Sequence, residues 1–158
     1  MMTIRVLFVC LGNICRSPLA EAAFRAEAEQ LGLDAEADSA GTGGWHSGEP
    51  PDRRAIAAAR RGGVDIAHLR ARRVTRGDFD RFDHIVALDE ENRADLEALR
   101  PPGSRAALSL LLDHVPGREG QAVGDPYYGG ESDFDITWRD AVAGAAGLAR
   151  TLKGVKET

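Results

Sequence analysis

The sequence predicts a single-domain α/β protein: a four-stranded parallel sheet with helices on both faces and its working loop directly after the first strand. Three observations carry this. A short β-rich apolar run, Ile4 to Val9, opens the chain and gives way to a helix. A candidate second strand at 35–40 and further apolar runs at 84–88 and 107–112 alternate with helical stretches. The 158 residues show no internal repeat and no linker, and that length suits one domain.

Each element has a local cause. Ser17-Pro18 reads as a helix start, with Ser as N-cap and Pro at the first helical position, and Gly32 stops that helix after Leu31. Residues 41–51 hold four Gly and two Pro and form a loop. Asp52 to Arg61 is a short helix ended by Gly62-Gly63. Asp89-Glu90-Glu91-Asn92 is the acidic opening of another. Ala107 to Leu112 fits either a strand or a buried helix. Gly124 to Gly130 is a second turn-rich loop. From Glu131 to Leu152 the apolar residues Phe134, Trp138, Val142, Ala145 and Leu148 recur at helical spacing. The domain is expected over 1–153, with a polar tail at 154–158.

Composition narrows the function. Asp and Glu number 25 against 20 Lys and Arg, a net charge of −5, so nucleic acid is not an expected partner. No apolar run approaches the roughly 18 residues of a membrane span. The apolar stretch at the start is too short for a secretion signal, and a cytoplasmic protein is expected. The only cysteines, Cys10 and Cys15, suggest a reactive thiol in a reducing compartment. Two thiols without a nearby His supply too few ligands for a metal, and no cofactor is expected.

The segment Cys10-Leu11-Gly12-Asn13-Ile14-Cys15-Arg16-Ser17 lies between strand and helix, with five residues separating Cys10 from Arg16. In an open parallel sheet that position binds ligands. Successive backbone N–H groups of such a turn converge on an anion, and the helix N-terminus adds its positive end. Gly12 and Asn13 tolerate the positive φ of a tight cradle. Arg16 offers a planar fork matching two phosphate oxygens. These donors also favour a thiolate, and the Ser17 hydroxyl can donate to it. One loop can thus hold a phosphate and the nucleophile that attacks it. A carboxylic acid opposite the thiol would protonate the leaving group, and Asp125 stands on a turn-rich loop 115 residues after Cys10. Asp125-Pro126 read alone is more often just a turn. The only tyrosines, Tyr127 and Tyr128, adjoin it, and Trp45 stands in the other Gly-rich loop. Such aromatics can form a slot for a phenyl ring.

The run Val9 to Pro18 resembles the signature of the low-molecular-weight protein tyrosine phosphatases. Asp38-Ser39-Ala40-Gly41-Thr42, Asp89-Glu90-Glu91-Asn92 and Asp125-Pro126-Tyr127-Tyr128-Gly129 are similar to further segments of that family, in the same order. The resemblance implies hydrolysis of phosphotyrosine through a phosphocysteine intermediate, with Cys10 as nucleophile, Arg16 and the amides of Leu11 to Cys15 holding phosphate, and Asp125 as general acid, then base. It also implies that Trp45, Tyr127 and Tyr128 rim the pocket, that Asn13, Ser17 and Ser39 brace the loop, and that a tyrosine kinase can act on Tyr127 or Tyr128. Cys15 would trap an oxidised Cys10 as a disulfide. One departure is His68, which has one residue more than the family pattern before Ala71-Arg72 and fits either a loop brace or a surface histidine. The basic run Arg70 to Arg76 reads as a solvated face, and His46 has no evident partner. Three other functions are compatible with a similar loop. Arsenate reduction needs further cysteines, which this chain lacks. Arginine-phosphate hydrolysis goes with Thr where this chain has Ile14. A phosphocysteine carrier needs no acid, whereas Asp125-Pro126 is intact.

Overall fold

A computed structural model describes residues 3–154. The elements are β1 (Ile4–Cys10), α1 (Arg16–Leu31), β2 (Ala35–Gly41), α2 (Arg53–Arg61), α3 (Asp78–Arg81), β3 (His84–Ala87), α4 (Glu90–Leu99), β4 (Ala107–Leu110), a 3₁₀ turn (Leu111–His114) and α5 (Glu131–Lys153). The four strands pair in the order β2-β1-β3-β4, all parallel. The run 107–112 is both of its alternatives, a strand that passes straight into a helical turn. The short helix α3 has no apolar period and was not foreseen. Of the expected tail, Gly154 caps α5 in the left-handed conformation, and 155–158 lie outside the described residues.

β1 reads as an unbroken apolar run because it is covered on both sides. Val6, Phe8 and Cys10 face α1, α5 and α2. Leu7 and Val9 face Phe79 and Leu96 of α3 and α4. Phe8 meets Phe24 of α1 with ring centroids 5.6 Å apart. Burying each such ring is worth roughly 1.5–3 kcal/mol. The helix α5 closes the first face by coming very near the 3₁₀ turn. A Cβ on Gly147 would sit 2.0 Å from His114 O, so only glycine fits there.

The chain leaves β1 toward β2 on one side, and β3 lies on the other. The carboxyl end of β1 is therefore the point where the connections diverge, and a crevice opens there. Cys10 is the last residue of β1, paired in register with Gly41 of β2.

Candidate active site

The loop from Leu11 to Cys15 is held from beneath. Asn13 is the one non-glycine residue with positive φ among those described, at 58°. Its side chain fixes that conformation: Nδ2 donates to Ser17 Oγ (2.8 Å) and Ser39 Oγ (3.0 Å), and Oδ1 accepts from the Arg72 N–H (3.0 Å). Gly12 does not have positive φ, contrary to expectation. It is needed for closeness, since a Cβ there would lie 3.1 Å from the His46 ring. Gly41 is needed for the same reason, as its Cβ would lie 2.7 Å from Leu11 O.

Ser17 is not the N-cap of α1. That position falls to Cys15, without a side-chain cap, and helical residues begin at Arg16. The Ser17 hydroxyl is engaged elsewhere. It accepts from Asn13 and lies 3.0 Å from Cys10 Sγ and 3.4 Å from Ala40 O. Asn13, Ser17 and Ser39 are buried and do not line the cavity. Their side chains brace the loop, and for Asn13 and Ser17 any contact with substrate falls to the backbone. Ser39 in turn donates to Glu21 Oε1 (2.7 Å). The other oxygen of Glu21 lies 2.8 Å from an Arg25 nitrogen but has no aligned hydrogen bond. Burial pushes the Glu21 carboxyl above its ordinary range, with Ser39 and Arg25 offsetting only part.

The Arg16 side chain is only 4% exposed. Its Nη1 donates to Asp89 Oδ2 (2.6 Å) and Val123 O (3.1 Å), and Nη2 lies 3.7 Å from Asp125 Oδ2. Burial works against its charge, but Cys10, Asp89 and Asp125 outweigh this and hold the guanidinium more firmly protonated than usual. Asp89 was visible in the sequence as a helix opener. Its second function was not, because one oxygen caps α4 through the Asn92 N–H while the other holds Arg16.

Asp125 is 45% exposed at the cavity wall. Its Oδ1 accepts from the Tyr127 N–H (3.1 Å) and its Oδ2 faces Arg16. The turn thus occupies one oxygen and leaves the other toward Arg16. The cavity is about 250 Å³, with Cys10, Cys15 and Arg16 at its base and Leu11, Gly12, Ile14, His46 and Asp125 around it. Trp45, 72% exposed, and Tyr128, 96% exposed, stand at the rim with Tyr127. The tyrosine rings meet edge to face at 5.0 Å. Burial, followed by Asp52, Cys10 and Asp125, pushes the Cys15 thiol up, so it stays protonated at neutral pH.

Two expectations change and one open reading closes. His68 is a surface histidine, exposed beside Glu21 and Arg25, and forms no hydrogen bond to the loop. Arg72, whose N–H does reach the loop through Asn13, is not a solvated residue. The Arg72 guanidinium bridges Asp38 (3.0 Å) and the fully buried Asp78 (3.0 Å), while Arg70, Arg73 and Arg76 are exposed as expected. His46 does have a partner, Glu49, at 2.9 Å.

Comparisons with known proteins agree with this geometry. A family model described as low molecular weight phosphotyrosine protein phosphatase matches residues 5–157. The phosphatase of that name from Schizosaccharomyces pombe is 46% identical over 83% of this chain and 85% of its own. The human one is 40% identical over 87% of this chain and 88% of its own. The crystal structure of YfkJ from Bacillus subtilis superposes with a TM-score of 0.90 at 40% identity, covering 99% of both chains. A protein tyrosine phosphatase from Entamoeba histolytica gives 0.90 at 32% identity, covering 96% of this chain and 98% of the other.

Proposed function

This chain belongs to the low molecular weight phosphotyrosine protein phosphatase family, and from that premise we propose that Cys10 is its nucleophile, Arg16 its phosphate clamp and Asp125 its general acid and base. The enzyme hydrolyses phosphotyrosine by the cysteine-based route of the family. The Cys10 thiolate attacks phosphorus in line with the leaving phenol. As the P–O bond to the ring breaks, the carboxyl proton of Asp125 passes to the phenolate oxygen. Arg16 and the N–H groups of Leu11 to Cys15 bind the three equatorial oxygens, where charge is spread in the transition state. In the second half a water attacks the phosphocysteine, and the Asp125 carboxylate takes its proton. The S–P bond breaks, phosphate leaves, and the thiolate returns to its place facing the Ser17 hydroxyl. No step calls for a metal, since the positive potential comes from Arg16 and the loop amides.

The observation that carries this is the convergence of three groups remote in sequence on one cavity. Cys10 and Arg16 lie at its base, and the Asp125 carboxylate is 3.7 Å from the Arg16 guanidinium. A carrier of phosphocysteine has no use for that acid, and arsenate reduction needs thiols beyond the loop. The buried position of Cys10 favours a long aryl phosphate over a short phosphoserine, with Trp45, Tyr127 and Tyr128 flanking the ring. The proposal extends to a single phosphatase domain over 1–153, at work in the cytoplasm on phosphotyrosine proteins. A tyrosine kinase is its regulator at exposed Tyr128 or at Tyr127. No nucleic-acid or membrane partner is proposed.

The test is phosphate release by fully reduced protein from matched phosphotyrosine, phosphoserine and phosphoarginine peptides, with Cys10→Ser alongside. Release from phosphotyrosine alone, abolished in Cys10→Ser, is the expected result. Phosphate binding without turnover on any peptide would overturn the assignment in favour of a carrier.

A further inference from the structure

Asp125 is half-exposed on a loop of glycines and one proline, yet a general acid must keep a fixed distance from the nucleophile. The backbone of that loop is fastened by a residue the chemistry above does not use. Arg54, in the first turn of α2, donates through Nη2 to Tyr127 O and through Nη1 to Gly129 O, both at 2.9 Å. Its remaining edge is held by Asp52, with Nε to Oδ1 and Nη2 to Oδ2 both at 3.0 Å. The Arg54 guanidinium carbon lies 4.5 Å from the centroid of the Phe134 ring, at the start of α5.

Asp52 is itself tied to the other half of the site. Its N–H donates to Ile14 O of the phosphate loop at 2.8 Å, and its carboxylate caps α2 through the Arg54 N–H. Pro50 and Pro51 restrict the approach of the chain to this point. A continuous path therefore runs from Ile14 to Asp52, to Arg54, and on to two carbonyls of the acid loop. A planar fork can serve two carbonyls and a carboxylate together, which a lysine ammonium on a flexible stem cannot.

We propose that Arg54 is a positioning residue for the general acid. It sets the separation between the acid loop and the phosphate loop, and so the place of Asp125 opposite the scissile oxygen. This rests on the assignment of Asp125 as acid.

Leaving-group dependence separates this from a merely structural role. Phenyl phosphate needs its leaving oxygen protonated, and 2,4-dinitrophenyl phosphate does not. In Arg54→Ala and Arg54→Lys, kcat/KM should fall on the order of 10²-fold for phenyl phosphate and by less than about threefold for the dinitrophenyl ester. Inhibition by inorganic phosphate should be unchanged, since the phosphate loop is intact. Asp125→Ala should show the same split, and Arg54→Ala added to it should cost nothing more. Equal losses on both esters, no loss on either, full rescue by Lys, or a further loss in the double variant would each overturn the proposal. If Asp125→Ala shows the split and the Arg54 variants do not, only this inference fails. If Asp125→Ala loses equally on both esters, the acid assignment fails and takes the inference with it.

Discussion

The phosphate loop and the acid loop face each other across one cavity and are held by opposite means. The first is buried from Asn13 onward, and its conformation is fixed from beneath by the side chains of Asn13, Ser17 and Ser39 and the N–H of Arg72. The second is exposed, and its own carbonyls are gripped from outside by Arg54 and, at Gly124 O, by Thr137 (3.3 Å). Stabilising a buried anion and thiolate requires donors that do not reorganise. Delivering a proton requires a carboxyl that meets both the substrate and water. The contrast teaches that the two halves should fail differently, and substitutions can sharpen or break it.

The largest expected effect is on the acid side, in rate alone. Asp125→Ala should lower kcat by roughly 10²–10⁴-fold on phosphotyrosine peptides. Its melting temperature should match that of the parent, because the side chain is half-exposed and only its own turn depends on it. On the phosphate side, rate and stability should fall together. Asn13→Ala removes three hydrogen bonds that fix a left-handed residue, and should cost about 1–3 kcal/mol by denaturant melts as well as activity. A variant that loses activity at full stability would break the contrast. At the rim the effect should be smaller. Trp45 is largely exposed, its ring lying where a Cβ on Gly43 would be. Trp45→Ala should raise KM for aryl phosphates about two- to tenfold, with kcat and melting temperature unchanged.

The smallest effect is a pH dependence under the phosphate loop. The folded state holds the proton of Glu21 more tightly than the unfolded chain does. Its stabilising contribution is thus whole below the unfolded value of about 4.3 and is lost as pH rises through the folded value. Glu21→Gln, which keeps an acceptor for Ser39, should melt higher than the parent near neutral pH and equally at acid pH. Equal melting at both would mean that folding does not raise the Glu21 carboxyl.

The same contrast explains what could be read in advance. Cys10 and Arg16 could be singled out from local context, a strand end and a helix start, whereas Asp125 read alone as a turn and was singled out only through the family resemblance. The resemblance also named Asn13, Ser17 and Ser39 as braces, but the roles of Asp89, Arg72 and Arg54 could not be read, because their partners are far along the chain. Asp89 looked like a helix opener, and only folding brings its second oxygen to Arg16, 73 residues away. Arg72 belonged to a basic run and looked solvated until Asp78 and Asp38 closed around it. Ser17 had the right type and place for an N-cap, but the sulfur and Asn13 claim its hydroxyl. Arg54 had no local signal, since what it holds are backbone carbonyls, which no side-chain pattern reveals.

The order of strands has a consequence for the life of the chain before it is finished. β1 is the second strand in space but the first to be made, and it needs β2 and β3 on either side. The thiol and the guanidinium leave the ribosome early, while the acid follows 115 residues later. At ribosomal speeds that gap lasts about 6–23 s. Throughout it the nascent chain holds a nucleophile without a proton donor, and α5, which covers α1, has not been synthesised. Activity therefore waits until the acid loop and α5 have been made and have packed against the first strand and helix.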